Sequence, residues 1–202
     1  MTDAEQIIYV VDDDEAMRDS LTWLLEGEGY RVTCFDSAEA FLLARHAKMR
    51  GCMVLDVRMP EMSGLELHEK LDSLGSKLPI IFVTGHGDVP MAVAALQRGA
   101  CDFIEKPFHN EDLLSRIQRA LTLDRELAQR QQRDSAISSR LDQLTQRERE
   151  VMQLVVAGKL NKQVADELDI SMKTVEAHRA RVMEKMGVRT LAELVQAVMS
   201  VK

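Results

Sequence analysis

Short apolar runs alternate with helix-length amphipathic stretches through residues 1–122. The runs Ile7–Val11, Arg31–Phe35, Cys52–Leu55, Ile80–Thr84 and Asp102–Ile104 read as strands, each bounded by charge, glycine or turn residues. Helical periodicity fills the gaps, at roughly Glu15–Glu28, Ser37–Lys48, Ser63–Ser73, Val89–Arg98 and Asn110–Leu121. Strands separated by helices of this length imply βαβ units and a parallel sheet. Five such units predict an α/β domain with a flavodoxin-like, doubly wound (βα)5 layout.

From residue 123 to 142 the pattern changes. The middle, Gln129-Arg130-Gln131-Gln132-Arg133-Asp134, is polar and holds no Gly or Pro, while Leu127, Ile137 and Leu141 keep a sparse apolar period. This segment reads as a solvated helical linker that continues the fifth helix, with a disordered linker as the alternative. Residues 143–202 are helical only. Thr145-Gln146-Arg147-Glu148 is a capping box, a hydroxyl cap with Glu three residues on. Its helix turns Val151, Leu154 and Val155 inward and stops at Gly158. A short helix, Asn161–Leu168, comes next. Ser171 is placed to cap Met172–Met186, which Gly187 ends, and a last helix spans about Thr190–Met199. Four short helices make a small all-α domain.

Charge sharpens this division. The net charge is −7. Residues 1–142 hold 16 Lys and Arg against 25 Asp and Glu, a net −9; residues 143–202 hold 10 against 8, a net +2. Opposite signs in the two parts say more than the total. Cys34, Cys52 and Cys101 form no CxxC pair and read as small buried or half-buried thiols in a reducing cytosol. The start of the chain has no basic n-region, and its apolar run is only Ile7–Val11, so neither signal peptide nor membrane anchor is expected. The expected location is the cytoplasm, with no membrane partner.

In open parallel sheets, chemistry gathers at the carboxyl ends of the strands. Here those ends carry Asp12-Asp13-Asp14, Asp56, Thr84 and Lys106-Pro107. Crowded carboxylates repel one another unless a cation sits among them. Oxygen-only donors with no His or Cys nearby favour Mg2+ over Zn2+. One carboxylate can then act as nucleophile and form an aspartyl-phosphate, helped by positioning and electrostatics. Gly85-His86-Gly87 completes neither a dinucleotide fingerprint nor a P-loop. His68 and His86 are single histidines without ligand spacing and read as surface or loop residues.

The segments Val10–Asp14, Leu55–Gly64, Thr84–Pro90 and Asp102–Phe108 resemble response-regulator receivers, the last two those of the FixJ-like branch of the NarL/LuxR class. The resemblance implies Asp56 as phosphoacceptor. It implies Mg2+ on Asp13, Asp56 and the Arg58 carbonyl, with Asp12 helping through water. It makes Thr84 and Phe103 a switch pair, places Lys106 on the phosphoryl group, and implies a cis bond at Lys106-Pro107.

Leu144–Val151, Asn161–Ala165 and Ser171–Arg179 resemble a LuxR-type helix-turn-helix. Met172–Met186 would be the recognition helix, with Asn161–Leu168 supporting it. Val175, Val182 and Met186 are spaced to face the core; Lys173, Glu176, Ala177, Ala180 and Arg181 are spaced to face outward. Lys159, Lys162, Lys173, Thr174, Arg179 and Arg181 suit phosphate or groove contacts, Glu176 a cytosine amino group, and Ala177 a thymine methyl.

The combined expectation is a transcription regulator, not a dedicated enzyme. A sensor histidine kinase phosphorylates it, it dimerises, and it binds DNA on two half-sites, with RNA polymerase as a further partner. Two other readings fit parts of the pattern. A phosphatase would use the same Asp56, Mg2+ and Lys106, but Arg58 stands where its acid–base Asp belongs, and the C-terminal helices would be unexplained. A phosphate-tuned scaffold would not need Lys173 and Arg179.

Overall fold

The computed structural model describes residues 6–85 and 99–201 of the chain. Contacts divide it into a first unit ending at Ala128 and a second beginning at Gln129. The helix expected over residues 89–98, with Val89, Met91, Val93 and Leu96, lies outside the described residues.

The first unit holds five parallel strands: β1 (Ile7–Val11), β2 (Val32–Phe35), β3 (Gly51–Asp56), β4 (Ile80–Thr84) and β5 (Asp102–Glu105). Their order is β2-β1-β3-β4-β5, the doubly wound arrangement expected. Three described helices lie between strands: α1 (Glu15–Gly27), α2 (Ala38–Ala44) and α3 (Gly64–Ser73). A fourth, α4 (Asn110–Asp142), follows β5. Alternation along each strand sends side chains to two cores. Tyr9, Val11, Met53, Leu55 and Phe82 pack with Phe41 of α2 and Leu67 and Leu71 of α3. Ile8, Val10, Val54, Ile81 and Val83 pack with Leu21 and Leu25 of α1 and Leu113 and Ile117 of α4. Both faces are covered, which is why the strands read as continuous apolar runs.

Local chemistry sets the helix ends. The Asp14 carboxylate accepts from the Ala16 N–H at 2.9 Å and starts α1. Ser63 and Glu66 form a reciprocal capping box at α3. Helix α2 is shorter than its periodicity predicts: Arg45 takes an extended conformation (φ −65°, ψ 138°) and ends it after Ala44. His68, read as a surface or loop residue, is instead buried on α3 with its ring edge-on to Phe82, centroids 5.7 Å apart. Its place on the inner face of α3 beside Leu67 and Leu71 overrides its polarity. Of the three free thiols, Cys52 is buried and Cys101 half-buried as expected, whereas Cys34 on edge strand β2 is exposed. No helix among the described residues is long and apolar enough to cross a membrane.

Helix α4 is 33 residues long and continues without a break through the segment read as linker. Residues 129–133 are exposed. On the first unit, Asp124 is buried in a fork from Arg50, whose Nε lies 3.0 Å from Oδ1 and Nη2 2.9 Å from Oδ2. Gln6 Nε2 donates to the same carboxylate at 2.7 Å and to the Leu121 carbonyl at 2.8 Å. The last turns of α4 belong to the second unit, where Ile137 and Leu141 join its core.

That core is built from α5 (Gln146–Val156), α6 (Asn161–Leu168), α7 (Met172–Met186) and α8 (Leu191–Ser200). Leu144, Val151, Val155, Val164, Val175, Val182, Met186 and Leu194 fill it. Glu148 closes the Thr145 capping box and is only 2% exposed. The Lys185 ammonium of α7 donates to it at 2.6 Å. Lys185 first, then the Thr145 N–H, hold the Glu148 carboxyl down at about 2 against the opposing cost of burial. Arg140 Nη1 caps the end of α7 through the Met186 carbonyl at 2.9 Å, next to Gly187, which takes the left-handed conformation (φ 66°) that ends the helix.

Two stability outcomes follow from these buried charges. Arg50→Ala leaves the Asp124 carboxylate buried without its cation and lowers the stability of the first unit by roughly 2–4 kcal/mol in denaturant titrations; a change below about 0.5 kcal/mol would show the fork to be incidental. A depressed carboxyl contributes stability that is complete above its unfolded pKa and is lost as pH falls through the folded one. The deficit of Glu148→Gln in thermal melts is therefore full above about pH 4.5 and shrinks as pH falls toward 2. A deficit that does not vary with pH would refute the ionic account.

Candidate functional site

Strand β1 lies between β2 and β3, so successive connections leave it on opposite sides and a crevice opens beyond its carboxyl end. Asp12 follows β1 directly, and Asp56 ends the neighbouring β3. Thr84 ends β4 and Lys106 follows β5. Parallel pairing puts all four at the same edge of the sheet, with Val11 opposite Leu55, Asp56 opposite Val83, and Thr84 opposite Glu105.

Lys106 joins this edge together. Its Nζ donates to Asp12 Oδ2 at 2.9 Å and to Asp56 Oδ1 at 2.8 Å. The other oxygen of each carboxylate takes a backbone N–H, Asp14 N on Asp12 Oδ1 at 2.9 Å and Arg58 N on Asp56 Oδ2 at 2.6 Å. Asp12 and Asp56 are 3% and 7% exposed. Burial pushes the Asp56 carboxyl above the usual carboxylate range; the Lys106 ammonium and the Arg58 N–H oppose the rise, and the Asp12 charge adds to it. For Lys106, burial favours the neutral amine, but hydrogen bonds and charge from Asp56 and Asp12 outweigh it and raise the pKa. The ammonium is therefore charged and tightly held at neutral pH. The Lys106 N–H also donates to the Thr84 carbonyl at 2.7 Å, and the Lys106-Pro107 peptide bond is cis, as expected.

The remaining expected residues of this mouth lie close in the fold. Thr84 is 3% exposed. Phe103 is half-buried on β5 opposite Phe82 and packs against the core that includes α2 and α3. Asp13 and Arg58 are exposed on the loops after β1 and β3. Gly64 starts α3 hard against β3: a Cβ there would lie 2.1 Å from the Asp56 carbonyl oxygen, so only glycine lets this helix approach the Asp56 loop.

Among the described residues, no group of three or more His, Cys, Asp and Glu side chains is gathered as a metal cage. The donor set still fits Mg2+. This ion takes one or two carboxylates, keeps several waters and leaves room for phosphate oxygens. Asp12 and Asp56 supply two buried carboxylates bridged by one ammonium, which leaves the pair one negative charge in excess.

The sequence singled out no residue bracing the acidic loop, yet Arg18 does so. Its Nη1 donates to the Asp12 carbonyl at 2.8 Å and to the Asp13 carbonyl at 3.0 Å. The available signal was spacing, since Arg18 follows Asp14 by one helical turn.

In the second unit, Lys173, Thr174, Glu176, Ala177 and Arg181 are exposed on α7, and Val175, Val182 and Met186 are buried on its other side, as the period predicts. Ser171 Oγ caps α7 by accepting from Thr174 N at 3.1 Å, and the two hydroxyls lie 2.8 Å apart. Lys162 is exposed on α6. Two expected contact residues are engaged inside the protein. The Lys159 ammonium pairs with Glu167, and Arg179 Nη1 donates to Asn161 Oδ1 at 2.6 Å, tying α7 to the start of α6.

Comparison with known proteins agrees with both halves. Residues 8–118 match the response regulator receiver domain, and residues 142–198 match the luxR family of bacterial regulatory proteins. The response regulator protein TmoT of Ectopseudomonas mendocina is 48% identical over 196 residues, covering 97% of this chain and 89% of that one. The transcriptional regulatory protein FixJ of Bradyrhizobium diazoefficiens is 47% identical over 192 residues, covering 95% and 94%. The solved structure of the response regulator StyR superposes with a TM-score of 0.85 at 43% identity, over 97% of this chain and 99% of that one. A doubly wound sheet with paired carboxylates and a lysine at its crevice, followed by a capped helix-turn-helix, places the chain in the response-regulator family of transcription regulators, with a receiver domain and a luxR-type DNA-binding domain.

Proposed function

We propose that Asp56 accepts a phosphoryl group from a sensor histidine kinase, and that this modification controls dimerisation and sequence-specific DNA binding. The observation that carries the reading is the Lys106 ammonium shared between Asp12 and Asp56 at the crevice. It opposes the effect of burial on the Asp56 carboxyl and so favours the ionised nucleophile. A carboxylate oxygen of Asp56 forms the new P–O bond as the P–N bond of the kinase phosphohistidine breaks, and the imidazole nitrogen keeps the electron pair and takes up a proton. Receiver domains generally bind Mg2+ at their acidic pocket, and here Asp13, Asp56 and the Arg58 carbonyl would hold it, with Asp12 assisting through water. When bound, Mg2+ neutralises charge on the transferring oxygens. Lys106 contacts the product phosphoryl, and slow autodephosphorylation returns the carboxylate.

The added charge and acceptor oxygens then bias a packing switch. The Thr84 hydroxyl moves toward the phosphoryl, and the Phe103 ring turns into the space it leaves. This alters the surface along β5 and its neighbouring helices, where a second copy docks. Functional boundaries are a receiver at 1–122, a helical linker at 123–142 and a DNA-binding domain at 143–202. In the DNA-binding domain the N-terminal part of α7 enters the major groove. Lys162, Lys173, Thr174 and Arg181 contact backbone phosphates, and Glu176 and Ala177 read base edges. Lys159, paired with Glu167 of α6, and Arg179, which ties α7 to the start of α6, also reach DNA. A net +2 gives modest nonspecific affinity, so tight binding needs a dimer on two half-sites. The protein works in the cytoplasm, with RNA polymerase as a further partner.

Acetyl phosphate with Mg2+ raises the intact mass by one phosphoryl group in the wild type and leaves Asp56→Asn unchanged, and the labelled wild type sediments as a dimer. Labelling of Asp56→Asn to the same extent would remove Asp56 from this role, and a fully labelled monomer would remove dimer control. In mobility shifts, Lys173→Ala weakens binding to all sequences and lowers the slope of log affinity against log salt by about 1. An unaltered slope would take Lys173 off the phosphate backbone.

A further inference from the structure

The three consecutive carboxylates after β1 are not equivalent. Asp12 is committed to Lys106 and to the Asp14 N–H. Asp14 is committed to the first turn of α1 through the Ala16 N–H. The exposed Asp13 carboxylate accepts no hydrogen bond from any described residue. Nothing in the side chain of Asp13 therefore fixes where it points; its backbone has to. The carbonyls of Asp12 and Asp13 belong to the peptide groups on either side of the Asp13 Cα. One nitrogen, Arg18 Nη1, holds both, at 2.8 and 3.0 Å. Arg18 is itself held in place by α1, where its N–H donates to the Asp14 carbonyl at 3.1 Å.

We propose that Arg18 is a positioning residue for the divalent-cation site: by pinning both peptide groups that flank Asp13, it presents the one uncommitted carboxylate of the loop beside Asp12. This rests on the reading of the mouth as a Mg2+ site. Electrostatics and geometry make opposite demands here. A guanidinium near a dication repels it, so Coulomb's law alone has removal of Arg18 tightening Mg2+ binding. Loss of the brace frees the loop to splay under mutual carboxylate repulsion and weakens binding. Outer partners that orient metal ligands are commonly worth ten- to a hundredfold in metal affinity, which is larger than the effect of one screened surface charge. The brace therefore wins.

The test is Mg2+ titration of the full chain by calorimetry, with amide exchange at residues 13–15 of the metal-free protein as a second readout. Arg18→Ala weakens Mg2+ binding about tenfold or more and speeds that exchange. Arg18→Lys, which keeps the charge and a donor nitrogen, recovers most of the affinity. If wild type binds Mg2+ and Arg18→Ala binds equally or more tightly, the positioning role is overturned while the metal site stands. If Arg18→Ala and Arg18→Lys lose affinity together with unchanged exchange, positioning is again overturned. Failure of the wild type itself to bind Mg2+ overturns the metal-site reading, and this proposal falls with it.

Discussion

One ammonium between two buried carboxylates organises the first unit. Lys106 stands one residue past β5, yet it bonds to side chains at the ends of β1 and β3, with the end of β4 beside its backbone. Without it, burial would push the Asp56 carboxyl further up, and the Asp12 charge would push the same way. The sheet order makes the arrangement attainable, because β1 and β3 are neighbours and β4 and β5 continue from them in register. The cores on both faces serve that edge: they fix the strand ends so that three side chains meet within hydrogen-bonding distance.

The second unit uses charge for a different purpose. Glu148 is buried at the start of α5, where it closes a capping box and receives the Lys185 ammonium from α7. Arg179 and Asn161 join α7 to α6 in a similar way. These ties hold the exposed side of α7, from Lys173 to Arg181, on a helix whose opposite side is packed by Val175, Val182 and Met186. These polar ties hold α7 in place beside α5 and α6 where a small apolar core leaves off.

Helix α4 shows how one element can serve two cores. Its period buries Leu113, Ile117, Ala120 and Leu121 early and packs the partly buried Ile137 and Leu141 against the second core late, with an exposed polar stretch between. The helix is continuous because nothing in that stretch breaks it. Asp124 and Arg140 mark the two committed ends, one in a guanidinium fork and the other on the last carbonyl of α7.

Whatever depends on neighbours a few residues away was legible in the order of residues. The alternation of apolar residues specified the strands and helices, and Thr145, Ser171 and Gly187 specified helix ends in the second unit, whereas the end of α2 at Ala44 did not follow its period. Topology rules then put Asp12, Asp56, Thr84 and Lys106 at one edge. Tertiary structure alone decided which distant partners the polar side chains chose. Arg50 found Asp124 across 74 positions, Arg179 took Asn161, and His68 went into the core. A charge in a sequence has sign but no distance, and both the strength of its interactions and the cost of burying it are set by distance and solvent exposure, which exist only once the chain has folded.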